Sequence, residues 1–231
     1  MKILHLYHDL MNLYGEYANI SALSKILNEN GVSHIVEKKS LEDDFKANDY
    51  DFIFIGAGTE ENQKIALANL IDKKEEIAQF IENGKIFLAT GNAFEMFGSK
   101  IETPQGLFEG LGIFDFKTVQ QNKERLTADA VFRFGEGMEL VGFINKSGYT
   151  SGIETPLFKV LMGLGNEEKS KVEGVRKNNF FGTQLTGPVL VKNPHFLKYI
   201  AEILAGKELT NDTFSYEKAG FEITLNKLRQ R

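Results

Sequence analysis

The stretch Lys85-Ile86-Phe87-Leu88-Ala89-Thr90-Gly91-Asn92-Ala93-Phe94-Glu95-Met96-Phe97-Gly98 decides the fold. An apolar β-run, Ile86 to Ala89, stops at a turn of small residues, and an apolar helical pattern begins at once. A sharp strand-to-helix turn of this kind presents a nucleophile at the carboxyl edge of a parallel sheet in α/β hydrolytic folds. Ser or Cys would stand at the apex, activated by a neighbouring base. Here the apex is Gly91, so the turn is present and the nucleophile is not.

The same texture precedes this turn. Lys2 to Tyr7 reads as a strand and Tyr17 to Asn28 as an amphipathic helix with Ile20, Leu23, Ile26 and Leu27 on one face. Ser33 to Glu37 and Phe52 to Ile55 read as further strands, and one helix is expected from Asn62 to Asn83, closed by Gly84. Strands alternating with helices imply a doubly wound, largely parallel sheet flanked by helices, an α/β fold. Ligands of such sheets lie outside the carboxyl ends of the strands, which here are Tyr7-His8-Asp9, Gly56-Ala57-Gly58 and Gly91.

Beyond Gly98 short runs separated by Gly, Asn and Lys predict antiparallel strands over 126–134, 139–145, 172–175 and 179–184. Pro194 opens a last sheet-covering helix, and 213–231 reads as an amphipathic tail with Phe214, Phe221, Ile223, Leu225 and Leu228 available for docking. The expected division is one α/β domain over 1–205 with the tail, 206–231, packed on it.

Composition narrows the chemistry. The 231 residues carry a net charge of −5, which disfavours a nucleic-acid partner. No apolar run approaches the length of a membrane span, and the amino-terminal segment shows no cleavage site, so a cytoplasmic protein without membrane insertion is expected. There is no cysteine, which removes disulfides, thiolate nucleophiles and Cys-ligated metals, and with only four histidines neither a metal nor another cofactor is expected.

Several blocks stand in a telling order: Asp9-Leu10-Met11-Asn12-Leu13-Tyr14-Gly15 with Asn19-Ile20, Gly56-Ala57-Gly58, Gly110-Leu111-Gly112-Ile113, Gly142-Phe143-Ile144-Asn145 with Gly148-Tyr149-Thr150, and Gly182-Thr183 with Gly187-Pro188-Val189-Leu190. Together they resemble the class I (triad-type) glutamine amidotransferases, which have a flavodoxin-like fold, and within them the cobyric-acid-synthase-like branch that includes the glutaminase subunit of lipid II isoglutaminyl synthase. The resemblance puts Gly56-Ala57-Gly58 at the family's glycine-rich oxyanion loop. The resemblance places the family's catalytic cysteine at Gly91 and its catalytic histidine at Thr186, and puts Tyr17 and Tyr149 where the family has arginines.

A thiolate–histidine pair loses several orders of magnitude in rate when either member goes. The resemblance therefore implies a glutaminase-like subunit without ordinary glutaminase activity, working with a Mur-ligase-like synthetase in amidating a peptidoglycan precursor. Gly56, Gly58, Asn92, Glu95 and Arg125 are the expected contacts for a glutamine-like ligand, with Glu95 equally readable as a surface or capping residue. Two alternatives stay open: a module binding an amide or amino acid in the vacated pocket, and a hydrolase with replaced residues drawn from Glu95, Thr90 or His8. The double variant Gly91→Cys with Thr186→His is expected to report whether a glutamine pocket survives.

Overall fold

The computed structural model describes residues 1–121, 124–211 and 213–230. The first half is built from β1 (Lys2–Leu6), α1 (Tyr17–Glu29), β2 (Ile35–Lys39), β3 (Phe52–Ile55), α2 (Glu60–Leu70), α3 (Lys74–Glu82) and β4 (Ile86–Thr90). The second adds β5 (Lys100–Thr103), β6 (Gly106–Glu109), β7 (Lys117–Gln120), β8 (Leu126–Phe134), β9 (Met138–Lys146), β10 (Gly148–Ser151) and β11 (Phe158–Met162). The chain ends with β12 (Val172–Glu173), β13 (Val175–Lys177), β14 (Phe180–Thr183), β15 (Leu185–Thr186), α4 (Val189–Lys192), α5 (Pro194–Ala205) and α6 (Ser215–Arg229).

The central sheet has the order β13-β14-β4-β3-β1-β2, parallel throughout except for β13 at its edge. Its inner strands β3, β4 and β14 are buried on both faces because both are covered. Ile3, Phe52, Phe54, Ile86 and Leu88 face α1 and α5, whereas Leu4, Leu6, Ile53, Ile55 and Phe87 face α2 and α3. Two smaller sheets follow, β10-β7-β5-β6 and β12-β11-β8-β9-β15. The expected doubly wound parallel sheet is present, with antiparallel strands in the second half; the strand expected among them over 179–184, β14, instead joins the central sheet parallel to β4 and is antiparallel only to β13.

Three local expectations change. The helix expected over 62–83 is two, α2 and α3, joined by a 3₁₀ turn at Ile71–Lys73. Apolar spacing runs through the break, so periodicity does not mark it; at the turn the Lys73 ammonium bonds Asp44 and the Phe45 carbonyl. The segment after the elbow, Gly91–Phe97, is a 3₁₀ turn rather than an α-helix, with Ala93, Phe94, Met96 and Phe97 all fully buried. In α6, Phe221, Leu225 and Leu228 pack on Val131 and Val141, and Phe214 joins the main core, but Ile223 points outward and is 57% exposed.

His5 and His8 stand three apart on and just past β1, and among the described residues no group of three potential ligands could hold a metal. The His5 ring lies against Phe54, and its Nε2 is buried with no hydrogen-bond partner. Burial, aided by His8 and Lys38, pushes its pKa down to about 4. Between pH 6.5 and 4 the unfolded chain therefore binds a proton at this site that the folded chain refuses, and the site's contribution to stability falls as pH falls. That contribution drops by about 1.4 kcal/mol per unit, reaching roughly 3 kcal/mol at the acid end. Buried carboxyls such as Glu16 and Glu173, raised to about 8 and about 7, act in the opposite sense over the same range, so the effect is read as a difference. In urea unfolding the stability of the natural chain relative to His5→Phe should fall by this amount between pH 6.5 and 4; a difference independent of pH would assign the acid sensitivity elsewhere.

Candidate functional site

The elbow sits where β4 leaves the central sheet. Gly91 has φ +57°, a left-handed conformation that side chains disfavour and a nucleophile elbow uses. Register brings its neighbours in: β3 pairs with β4 through Ile55 and Ala89, which carries the Gly56-Ala57-Gly58 loop alongside Gly91. From the other side β14 pairs with β4 through Thr183 and Thr90. The chain then crosses to the third sheet, where Thr186 in β15 pairs with Phe143 of β9.

These residues form a closed set. A Cβ built on Gly91 would stand 2.5 Å from the Ala57 methyl and 3.3 Å from the Thr186 methyl. Positions 91 and 186, to which the sequence resemblance assigns a nucleophile and a base, are thus adjacent, and the Ala57 methyl crowds the space a side chain at 91 would enter. Gly56, Ala57, Gly58, Gly91 and Thr186 are all buried. The Thr186 hydroxyl donates to the Phe143 carbonyl at 3.1 Å.

The Gly56-Ala57-Gly58 loop is also satisfied internally. The Gly58 amide donates to Asn92 Oδ1 at 3.0 Å, and Asn92 Nδ2 returns a bond to the Gly58 carbonyl at 3.0 Å. A Cβ on Gly56 would meet Glu16 Cβ and the Met11 carbonyl at 2.6 Å, and one on Gly58 would run into Met11 Sδ. Close approach of the Met11–Glu16 segment is reason enough for both glycines.

Glu16 was not among the expected site residues. Its carboxylate accepts from the Thr90 hydroxyl (2.9 Å), Asn19 Nδ2 (2.9 Å) and the Gly187 amide (2.9 Å), tying the first loop to the elbow and to the loop after β15. Burial raises its pKa to about 8 against the pull of these donors and of Lys192. Thr90 is thereby engaged and fully buried. An acidic residue at the start of an amphipathic helix reads as a solvated first-turn charge, so nothing in the local sequence distinguished it.

Glu95 is neither a surface nor a capping residue. It is 1% exposed and accepts from Gln184 (2.6 Å), Gln63 (2.9 Å) and Gln120 (2.9 Å). Behind it lie Lys146, donating to the Gly165 carbonyl at 2.6 Å, and Glu173, accepting from the Thr183 hydroxyl at 2.8 Å and the Gln184 amide at 2.7 Å. Burial pushes Glu95 and Glu173 up, Glu173 to about 7, and lowers Lys146, while attraction between the lysine and both carboxylates opposes each shift. Arg125 is half-exposed and is held by Glu60 and by the side chain and carbonyl of Asn145. It lines a separate polar cavity of about 330 Å³ with Lys64 and Gln120. The structure brings Gly56, Gly58, Asn92, Gly91 and Thr186 together, turns Glu95 into the interior and holds Arg125 in a surface ion pair.

Residues 2–194 match the CobB/CobQ-like glutamine amidotransferase domain. The chain belongs to that family. It is 36% identical over 197 residues to the lipid II isoglutaminyl synthase (glutamine-hydrolyzing) subunit GatD of Streptococcus pneumoniae, spanning 84% of this chain and 76% of that protein. Against the subunit of the same name in Staphylococcus aureus it is 33% identical over 203 residues, spanning 87% of this chain and 83% of that one. A probable cobyric acid synthase of Methanococcus maripaludis is 28% identical over 160 residues, which cover 63% of this chain and 32% of that protein. Among solved structures, PurLQS of Thermotoga maritima aligns with a TM-score of 0.55 at 15% identity, covering 98% of each chain. A glutamine amidotransferase of the same organism aligns at 0.51 and 12% identity, covering 99% of this chain and 95% of that one. These last likenesses establish the fold.

Proposed function

We propose that this family member is a catalytically silent glutaminase-like subunit, serving a lipid II isoglutaminyl synthase as its GatD relatives do, in the cytoplasm and docked on a Mur-ligase-like synthetase. The observation that carries the reading is the Ala57 methyl, which would stand only 2.5 Å from the Cβ of any nucleophile at position 91. Absence of the cysteine alone leaves a vacancy; here the vacancy is filled, the oxyanion-loop amide of Gly58 is taken by Asn92, and the base position is a threonine bonded to a carbonyl. Such a subunit contributes its fold and its docking surface while free ammonia supplies nitrogen.

The same packing weighs against a ligand in the vacated pocket and against replaced chemistry. Thr90 is spent on Glu16, and Glu95 on three glutamines, so neither stands ready to attack or to accept a substrate proton. The test is ammonia release from glutamine by the purified chain, alone and with its candidate synthetase, beside amidation of lipid II supplied with ammonium. No release above buffer is expected in either case, with amidation by the complex supported by ammonium. Turnover of glutamine by the natural chain would overturn the silent reading; a complex inactive with ammonium would overturn the assignment to this synthase.

A further inference from the structure

Beside β13, the edge strand of the central sheet, the loops 113–116 and 152–155 enclose a groove of about 310 Å³. Ile113, Phe114 and Ile153 supply apolar lining, and Asp115, Glu154 and Lys177 bring charge. The groove is preformed. Its first loop continues the Gly110-Leu111-Gly112-Ile113 block, which the elbow itself leaves unused, and is pinned to the turn after the elbow. Leu111 donates to the Met96 carbonyl, Gly112 to that of Gly98, and Ile113 and Phe114 both to that of Phe97. Gly112 makes the bend at φ +61°. The second loop is tied to β13, where the Arg176 amide donates to the Thr155 carbonyl at 2.8 Å.

Phe114 is half-buried, with its ring 5.9 Å from that of Phe116 and 5.0 Å from that of Phe180, so it is fixed from behind. The charges beside it are unbalanced. Lys177 is taken by Glu82 across the sheet edge. Asp115 and Glu154 are exposed, and among the described residues neither side chain has an ion pair or a hydrogen bond. Single solvated carboxylates are ordinary; two that line one groove with a fixed, partly exposed aromatic ring make a surface of definite chemistry. An arginine suits both parts of it. A guanidinium lies on an aromatic face while its N–H groups meet carboxylates, and its methylene stem covers apolar wall.

We propose that this groove receives an arginine side chain of the Mur-ligase-like synthetase. The guanidinium lies on Phe114 and pairs with Asp115 and Glu154, and the stem runs along Ile113 and Ile153. Arginine is enriched in protein interfaces, where it seats in pockets as an anchor. The GatD relatives are subunits of a synthase, and the inference rests on this chain docking likewise.

The test uses the full chain and its candidate synthetase, with Kd measured by calorimetry. Asp115→Asn with Glu154→Gln keeps shape and should leave Tm unchanged while weakening the complex about tenfold or more. Added salt should weaken the natural complex and weaken that of the double variant less. Asp72→Asn with Glu75→Gln removes two exposed carboxylates around the start of α3 and should leave Kd within about twofold. Phe114→Leu should weaken binding about threefold or more. With Phe114→p-benzoylphenylalanine, irradiation should join the chain to an arginine-bearing segment of the synthetase. An intact complex indifferent to the groove variants, or weakened equally by the α3 pair, would overturn this inference alone. Self-association of the chain that is lost in Asp115→Asn with Glu154→Gln would seat a second copy in the groove and overturn it too. No complex with the synthetase at all would overturn the docked-subunit reading, and this inference with it.

Discussion

Gly91→Cys introduced alone is expected to destabilise the chain by roughly 2–4 kcal/mol and to give no glutaminase activity. Two costs add. The residue is held at φ +57°, where a side chain is strained, and its Cβ would press on the Ala57 methyl at 2.5 Å, a contact with no flexible end to yield. Ala57→Gly removes the second cost, so the pair Ala57→Gly with Gly91→Cys should recover about 1–3 kcal/mol relative to the single variant, read as urea midpoint. Thr186→His then places an imidazole beside the thiol, because the Thr186 methyl already lies 3.3 Å from the built Cβ. Any ammonia release from glutamine should come from the triple variant alone. The double variant Gly91→Cys with Thr186→His keeps the Ala57 obstruction and should stay silent. Equal stability of Gly91→Cys and the natural chain, or equal activity of the double and triple variants, would show that Ala57 is not what fills the site.

Much of this arrangement was legible in the sequence. An apolar run ending at Gly91 identified the elbow, and the alternation of strands with helices through the first half identified the parallel sheet. What stayed hidden depends on pairing between distant segments. Ala57 reads as one small residue in a glycine loop; only the register of β3 on β4 turns its methyl into an obstruction. Thr186 reads as the end of a sheet strand, yet the chain leaves the central sheet after Thr183 and the hydroxyl is used by β9. In α6 the apolar residues were legible but their phase was not, and Ile223 falls on the outer side. Polar residues misled most. Glu16, Glu95, Lys146 and Glu173 are each 2% exposed or less, although a charged side chain read singly is expected in solvent. Their partners come from other segments, and no local pattern announces them.

That buried set yields the second large effect. Lys146→Met is expected to cost about 3–5 kcal/mol, because it removes a buried ammonium that attracts two buried carboxylates, Glu173 and Glu95, and leaves the carbonyls it bonds without their donor. Lys146 also bonds the carbonyls of Gly165 and Asn166, at 2.6 and 3.3 Å, so the loop before β12 should lose protection from hydrogen exchange first. The penalty should depend on pH in a definite direction. Burial already holds Glu173 at about 7 and raises Glu95 with the lysine present; without it both folded-state pKa values rise further above the unfolded value. A carboxyl raised in this way binds its proton more tightly folded than unfolded, so the loss grows as pH rises and shrinks toward pH 6. Adding Glu173→Gln removes one uncompensated charge while leaving an acceptor for the Gln184 amide, and should recover part of the loss. A cost under about 1 kcal/mol, or one independent of pH, would mean that the three charges do not act as a structural unit beneath the elbow.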